Sequence, residues 1–157
     1  MAQTTVLHDL GEVAGAWSAA IMRHTACDML RLLQREDLSL PRLVTLMFIG
    51  RHNQASISDI AEHLNLALGT TSHLVDQLVA ANFVVRYENP DDRRLKYVQL
   101  TERGHTLVGE VQRIRVTELT RRLQYLPEPL QQRMLDVMRE AIEVLNTQDA
   151  VSDVSLR

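Results

Sequence analysis

The chain changes its hydrophobic period near Asn82, and this change limits the folds open to it. Before Asn82 the apolar residues recur every three or four positions, as they do along one face of a helix. After Asn82 two short runs, 83–87 and 96–100, are rich in β-branched and aromatic residues, which is typical of strands. Two helices followed by a two-stranded hairpin are therefore predicted between residues 56 and 104.

The first of these helices has a recognisable start. Ser56 can accept a hydrogen bond from the amide of Asp59, and the Asp59 carboxylate can reach back to the amide of Ser56, which forms a capping box. The residues that follow have one apolar face, made of Ile57, Ile60, Ala61 and Leu64. A short amphipathic helix is predicted, and the segment 65–69 then breaks its pattern.

The second helix, predicted from about Thr70 to Ala81, has two different faces. A helical wheel places four residues on its inner side: Thr71, Leu74, Val75 and Leu78. Its outer side is small and polar, with Ser72, His73, Asp76, Gln77 and Ala80. The major groove of DNA admits one helix and offers hydrogen-bond partners to Ser, His and Gln. The outer side is therefore interpreted as a base-reading surface, and Thr70 can contact a phosphate at the helix start.

The predicted hairpin has a charged tip. Its turn residues Asn89-Pro90-Asp91-Asp92 are followed by Arg93, Arg94 and Lys96. The neighbouring aspartates can orient one guanidinium by a bidentate pair. An arginine on a thin ribbon suits the narrow, electronegative minor groove beside the helix site. DNA contact is therefore predicted for the tip, at Asp92, Arg93, Arg94 and Lys96.

Together these motifs resemble the MarR family of winged helix-turn-helix transcription regulators. The resemblance covers about residues 40 to 105 and rests on Ser56-x-x-Asp59-Ile60-Ala61, the run Thr70 to Leu78, Asn89-Pro90-Asp91-Asp92-Arg93-Arg94 and Leu100-Thr101-x-x-Gly104. It implies that the second helix enters the major groove, with Ser72, His73 and Gln77 at the bases. It also implies that Arg94, anchored by Asp92, enters the minor groove.

Helices are predicted on both sides of this module. Apolar stripes at helical spacing comprise Leu7, Leu10, Ala14, Trp17 and Ile21 near one end, and Leu130, Met134, Val137, Ala141 and Leu145 near the other. The predicted fold is mainly α with a small β-hairpin wing, a winged helix-turn-helix with N- and C-terminal dimerisation helices. One domain is expected over 1–157, with its DNA-binding core at 38–105 and dimerisation helices at 5–35 and 106–147.

A small winged helix leaves such terminal stripes uncovered, so a second copy is expected to bury them. The MarR resemblance implies the same homodimer. Two copies would place two base-reading helices about one DNA turn apart, which suits a pseudo-palindromic operator in double-stranded DNA.

Composition limits the location of the protein. No run approaches the roughly 20 apolar residues of a membrane span, and the first residues lack the pattern of a signal peptide. The single cysteine agrees with a reducing compartment. A cytoplasmic protein without membrane contact is therefore expected. The net charge of −3 predicts modest non-specific DNA binding, and the affinity is expected to fall strongly with salt because phosphate contacts release counterions.

The preferred hypothesis is a ligand-responsive homodimeric repressor. Members of the MarR family often bind small aromatic or phenolic effectors in a cleft, and Trp17 and Met47 are candidates to line it. A second hypothesis is a thiol-based redox sensor acting through Cys27. A third is a helical interaction adaptor that does not bind DNA, because the predicted base-reading helix contains neither Lys nor Arg.

Catalysis is not indicated by the sequence. The chain shows no nucleophile elbow, phosphate-cradling glycine loop or dinucleotide fingerprint. Its six histidines do not form the close pairs or Cys/His clusters of a readable metal site. No enzyme activity, cofactor or metal is therefore expected.

Overall fold

The computed structural model describes residues 2–88 and 96–155, with side chains described over 5–20, 25–88 and 96–147. The elements are α1 (Ala2–Arg35), α2 (Leu40–His52), β1 (Ala55–Ser56), α3 (Ile57–Leu64), α4 (Leu68–Ala80), β2 (Val84–Glu88), β3 (Lys96–Leu100), α5 (Glu102–Leu123) and α6 (Glu128–Ser155). The predicted class, mainly helical with a small sheet, is confirmed. The chain divides into two compact units, Met1–Thr117 and Glu118–Arg157.

The helix α2 lies inside the first unit and begins with a proline. Pro41 occupies its first turn, where a missing backbone N–H costs no helical hydrogen bond. Leu46 and Ile49 are fully buried, as is Thr45, whose hydroxyl donates to the Pro41 carbonyl over 2.9 Å. α2 is therefore a largely buried helix with a proline in its first turn.

The capping box at the start of α3 is present as predicted. The amide of Asp59 donates to the Ser56 hydroxyl over 3.1 Å, and the amide of Ser56 donates to the Asp59 carboxylate over 2.9 Å. Ile60 and Ala61 are buried on the inner face. Asn65 ends the helix in the left-handed region at φ 52°, which Asn tolerates better than most residues.

The helix α4 begins at Leu68, two residues earlier than predicted. Its N-cap is Ala67, which has no side-chain oxygen to accept a hydrogen bond, so the usual sequence signal for a helix start is missing. The predicted inner face is correct, because four α4 residues are buried: Thr71, Leu74, Val75 and Leu78. Asn82 then turns the chain into the sheet with φ 59°.

The sheet has three strands, whereas only a two-stranded hairpin was expected from the sequence. β1 pairs antiparallel with β3, and the strand order is β1-β3-β2. β1 has only two residues, Ala55–Ser56, and a segment that short cannot show the alternation that identifies strands. β2 begins at Val84 instead of Phe83, and its register with β3 runs from Val84↔Leu100 to Glu88↔Lys96.

The core of the first unit joins α2, α3, α4 and the sheet. Phe83, Val84 and Val98 are almost completely buried with α2 and α4 side chains. α1 contributes Leu32, and α5 contributes Val111. This core holds α4 by its inner face and leaves its outer side available.

The second unit contains the end of α5 and the helix α6. The Glu118 carboxylate accepts hydrogen bonds from Arg121 at 2.7 and 2.8 Å and from Arg122 at 3.1 Å. The hydrogen bond from Arg121 lowers the pKa of Glu118 to about 2, with a further contribution from Arg122. The amide of Gln131 donates to the carbonyls of Leu123 and Leu126, which closes the turn before α6.

Large apolar side chains are exposed along both terminal helices. Those of α1 include Val6, Leu7, Leu10 and Val13, each more than 60% exposed. Those of α6 include Leu135, Val137, Met138, Ile142, Val144 and Leu145. Within the described residues, none of the helices is both long and apolar enough to cross a membrane.

Gly104 provides a test of the packing between α5 and the end of α4. A Cβ at this position would overlap the carbonyl oxygen of Phe83, which already accepts from the amide and the hydroxyl of Thr101. We expect Gly104→Ala to lower the free energy of unfolding by about 2 kcal/mol, the usual cost of overpacking. Urea unfolding measures this change.

Gly109→Ala on the same helix is the matched control. A Cβ there meets nothing within 4 Å, and alanine is the better helix former by about 0.5–1 kcal/mol. The control should therefore unfold at a slightly higher urea concentration than the parent. Equal effects of the two substitutions would contradict the predicted clash.

Candidate nucleic-acid interface

The structure places four of the predicted site residues on α4. Thr70 and His73 are exposed, whereas Ser72 and Gln77 are half-buried. All four lie outside the buried inner face of the helix. We call the side of α4 that contains Thr70, Ser72, His73, Asp76, Gln77 and Ala80 the outer face.

Gln77 is held by an arginine from another helix. The Nε and Nη2 groups of Arg42, in the first turn of α2, donate to the Gln77 carbonyl oxygen Oε1 over 3.0 and 2.7 Å. The Arg42 Nη1 group also donates to the backbone carbonyl of Asp37 over 3.1 Å. The Gln77 Nε2 atom lies 3.1 Å from Nε2 of His73, one helical turn away. A cation therefore lies directly beside the outer face.

A second arginine reaches α4 from the sheet. The Nη1 group of Arg86, on β2, pairs with the Asp76 carboxylate over 2.6 Å. Its Nη2 group donates to the backbone carbonyl of Ser72 over 3.0 Å, with the Ser72 hydroxyl at 3.4 Å. Arg86 therefore fixes the first strand of the hairpin against the outer face of the helix.

Sequence reasoning missed both arginines. The predicted base-reading helix contains neither Lys nor Arg, but α2 and β2 each supply a guanidinium to it. The position of Arg42 directly after Pro41 was the available signal, because proline is common in the first turn of a helix and Arg42 would then lie on that turn. Its contact with Gln77 spans 35 positions, and no local pattern reports such a distance.

The hairpin is supported by an aromatic pair. Tyr87 and Tyr97 face each other across β2 and β3 with ring centroids 5.9 Å apart, and the Tyr87 hydroxyl donates to Gln54. Lys96 is exposed at the start of β3, opposite Glu88. The other predicted tip residues, Asp92, Arg93 and Arg94, lie outside the described residues.

A charge network connects the end of α4 to α1 and α5. Arg35 donates to Glu110 over 2.6 Å and to Glu36 over 2.9 Å, and these bonds lower the pKa of both carboxyls and raise the pKa of Arg35. Arg103 pairs with Glu36 over 3.2 Å and donates to the Ala81 carbonyl over 2.9 Å. Its guanidinium also lies 4.3 Å from the ring centroid of Phe83, a cation–π contact.

The candidate effector and redox residues lie elsewhere in the first unit. Trp17 is half-buried on α1, and Met47 packs against the core cluster from α2. A surface depression at the start of α5 is lined by Asn82, Thr101, Glu102, Arg103 and Thr106, and thus by neither candidate. Cys27 is exposed on α1. The effector cleft and the thiol sensor both stay predictions.

Two of the histidines pack on an aromatic ring. His63 stacks on Phe48 with ring centroids 4.3 Å apart, and His52 lies 4.4 Å from the same ring. Over the part of the chain that the structure describes, no group of three or more His, Cys, Asp or Glu side chains is arranged to hold a metal ion.

Arg86→Met tests the attachment of the hairpin to α4. The side chain of Arg86 is only 26% exposed, so its charge-assisted bonds are partly shielded from water. We expect the substitution to lower the free energy of unfolding by about 1 kcal/mol. This is less than the cost of losing a fully buried charged hydrogen bond, because the side chain of Asp76 is more exposed than that of Arg86. Urea unfolding with hydrogen exchange of α4 amides measures the effect.

Arg31→Met is the control for the loss of one arginine. Arg31 pairs with Asp28 on α1 over 2.7 Å, but its side chain is 76% exposed. Such surface pairs contribute less than about 0.5 kcal/mol in most cases. If both substitutions changed stability and α4 exchange equally, Arg86 would have no special role in holding the helix.

Comparisons with known proteins agree with this geometry. The model of the MarR family matches residues 38–96. The HTH-type transcriptional regulator YfiV of Bacillus subtilis (strain 168) is 41% identical over 66 residues, which are 42% of this chain and 41% of YfiV. The HTH-type transcriptional repressor IacR of Pseudomonas putida is 29% identical over 132 residues, 82% of this chain and 79% of IacR. The chain thus spans less than half of YfiV and most of IacR.

The fold is also shared with a solved complex. The crystal structure of the S. aureus MepR-DNA complex aligns with a TM-score of 0.62 at 22% identity, over 81% of this chain and 98% of MepR.

The matching relatives are named as transcriptional regulators, which agrees with the prediction that the chain is not an enzyme. The family match over residues 38–96, the regulator relatives and the winged-helix geometry confirm the resemblance found in the sequence: the chain is similar to the MarR family of helix-turn-helix transcriptional regulators.

Proposed function

We propose that the protein is a homodimeric repressor that binds a pseudo-palindromic operator and releases it in response to a small ligand. The observation that carries the proposal is the outer face of α4. This face has hydrogen-bonding side chains at Ser72, His73 and Gln77, and Arg86 holds it against the hairpin. A helix and a ribbon fixed side by side can enter adjacent grooves of one duplex.

Positive charge near the outer face supports DNA as the partner. Arg42 and Arg86 contact α4 directly, and Lys96 is exposed on the hairpin. Local cations of this kind attract phosphates even though the net charge of the chain is −3. MepR, which has the same fold, was crystallised with DNA. The guanidinium groups beside α4 also weaken the reason to favour a non-DNA-binding adaptor.

Exposed apolar side chains support a homodimer. On α1, Leu7 and Leu10 are 65% and 62% exposed, and on α6, Ile142 and Leu145 are 55% and 62% exposed. Rows of large apolar residues exposed on a helix are typical of an interface. We propose that segments 5–35 and 106–147 form the dimer, and that the two-fold axis sets the spacing of the two α4 helices.

The repressor role and the ligand response complete the proposal. IacR, which aligns with most of this chain, is named a repressor. We propose that a small aromatic or phenolic effector binds near Trp17 and Met47. It would lower DNA affinity if it bound more tightly to dimers whose two α4 helices are not spaced for the operator, because it would then shift the population toward those dimers. We place this activity in the cytoplasm, as expected from the sequence.

Titration of duplex DNA at low and moderate salt tests the DNA-binding part. The parent protein should bind with an affinity that falls steeply with salt, because contacts to phosphates release counterions. Arg94→Ala should weaken binding and reduce the salt slope by about 0.9 if Arg94 neutralises one phosphate.

Arg31→Ala is the control, since it also removes one positive charge but lies on α1. It should leave the affinity nearly unchanged. Negligible, salt-insensitive binding by the parent and both variants would support the adaptor hypothesis and reject DNA binding.

Sedimentation velocity tests the dimer. The parent should sediment as a particle of about twice 17.9 kDa. Leu7→Glu combined with Leu10→Glu should raise the dimer dissociation constant at least about tenfold, because buried carboxylates without partners are costly. Leu40→Glu is the control, since Leu40 on α2 is also 62% exposed. A stable parent monomer would contradict the proposal.

A further inference from the structure

The amide of Gln77 has a fixed orientation in this protein. An arginine can only donate hydrogen bonds, so the oxygen of the amide must face Arg42. Two N–H groups of Arg42 converge on this oxygen at 3.0 and 2.7 Å. The nitrogen Nε2 then points toward His73, at 3.1 Å from its Nε2 atom.

This orientation also determines the role of His73. The Gln77 amide nitrogen is a donor only, so Nε2 of His73 must accept its hydrogen bond. The ring proton of His73 is then on Nδ1, and His73 is exposed. The chain of hydrogen bonds runs from Arg42 through Gln77 to His73, and its outer end is an N–H donor.

A free glutamine normally reads adenine, because its carbonyl accepts from N6 while its amide donates to N7. In Gln77 the carbonyl is already engaged by a charged donor that is itself held by the Asp37 carbonyl over 3.1 Å. Gln77 and His73 therefore offer donors to a base edge. Guanine presents two acceptors in the major groove, O6 and N7, and adenine presents one acceptor beside a donor.

We propose that Arg42 determines the base preference of α4: by engaging the Gln77 carbonyl, it makes the Gln77–His73 pair select guanine over adenine. This inference rests on the proposed DNA-binding function and adds a residue to it that lies on α2, outside the helix-turn-helix pair α3 and α4. Arg42 acts through Gln77 and is a positioning residue.

Selection of bound duplexes from a random pool tests the proposal, with the parent protein, Gln77→Ala and Arg42→Met compared. The position at which Gln77→Ala loses selectivity identifies the base pair that Gln77 contacts. At this position the parent should prefer guanine over adenine by about fivefold or more, the lower end for a good base contact. Arg42→Met frees the carbonyl, so its preference should move toward adenine at the same position.

Arg31→Met is the matched control, because it removes an arginine that does not contact Gln77. It should select the same sequences as the parent. Circular dichroism of each variant checks the fold. If Arg42→Met does not fold, the base preference of the parent still tests the proposal. A parent that prefers guanine at the Gln77 position supports it, and a parent that prefers adenine there overturns it.

The remaining outcomes separate this proposal from the proposed function. If the parent selects a sequence but Gln77→Ala leaves the profile unchanged, or Arg42→Met keeps the parent's guanine preference, the role of Arg42 is rejected and sequence-specific binding stands. If the parent selects no sequence at all, both proposals are rejected.

Discussion

The contact between Arg86 and Asp76 is the constraint on which the candidate site depends. α4 and the hairpin are separate elements, and in the proposed complex their relative position decides whether they can enter adjacent grooves of one duplex. Arg86 bridges them through a 2.6 Å ion pair and a 3.0 Å bond to the Ser72 carbonyl. Because two of its nitrogens contact two points on α4, the strand is restrained in direction as well as in distance.

The C-terminal end of α4 is held by another arginine, Arg103. Arg103 donates to the Ala81 carbonyl and packs on Phe83, and its ion pair with Glu36 leads to Arg35 and Glu110. These bonds join the end of α4 to α1 and α5, the helices proposed to form the dimer. If the proposed repressor responds to a ligand by changing the spacing of its two α4 helices, this network is one set of contacts that connects α4 to the proposed dimer helices.

Local patterns predicted the parts of the fold that local physics determines. The Ser56 and Asp59 capping box and the buried face of α4 follow from spacings of three and four residues, and both were predicted correctly. The start of α4 was wrong by two residues, because Ala67 gives no capping signal. β1 was missed because a two-residue strand is stabilised by its partner β3, and the pairing Ala55↔Val98 cannot be read from either segment alone.

Local sequence patterns also failed to reveal the charge at the candidate site, because α4 itself contains neither Lys nor Arg. From the sequence alone their absence favoured an adaptor without DNA binding, but Arg42 supplies the charge from α2 across 35 positions. The location of this cation changes its effect. An arginine on α4 would present its own guanidinium to a base, whereas Arg42 donates to the far side of the Gln77 amide and polarises it. The Gln77 N–H is therefore a stronger donor toward His73, and in the proposed DNA complex the charge of Arg42 would act on a base through a neutral side chain.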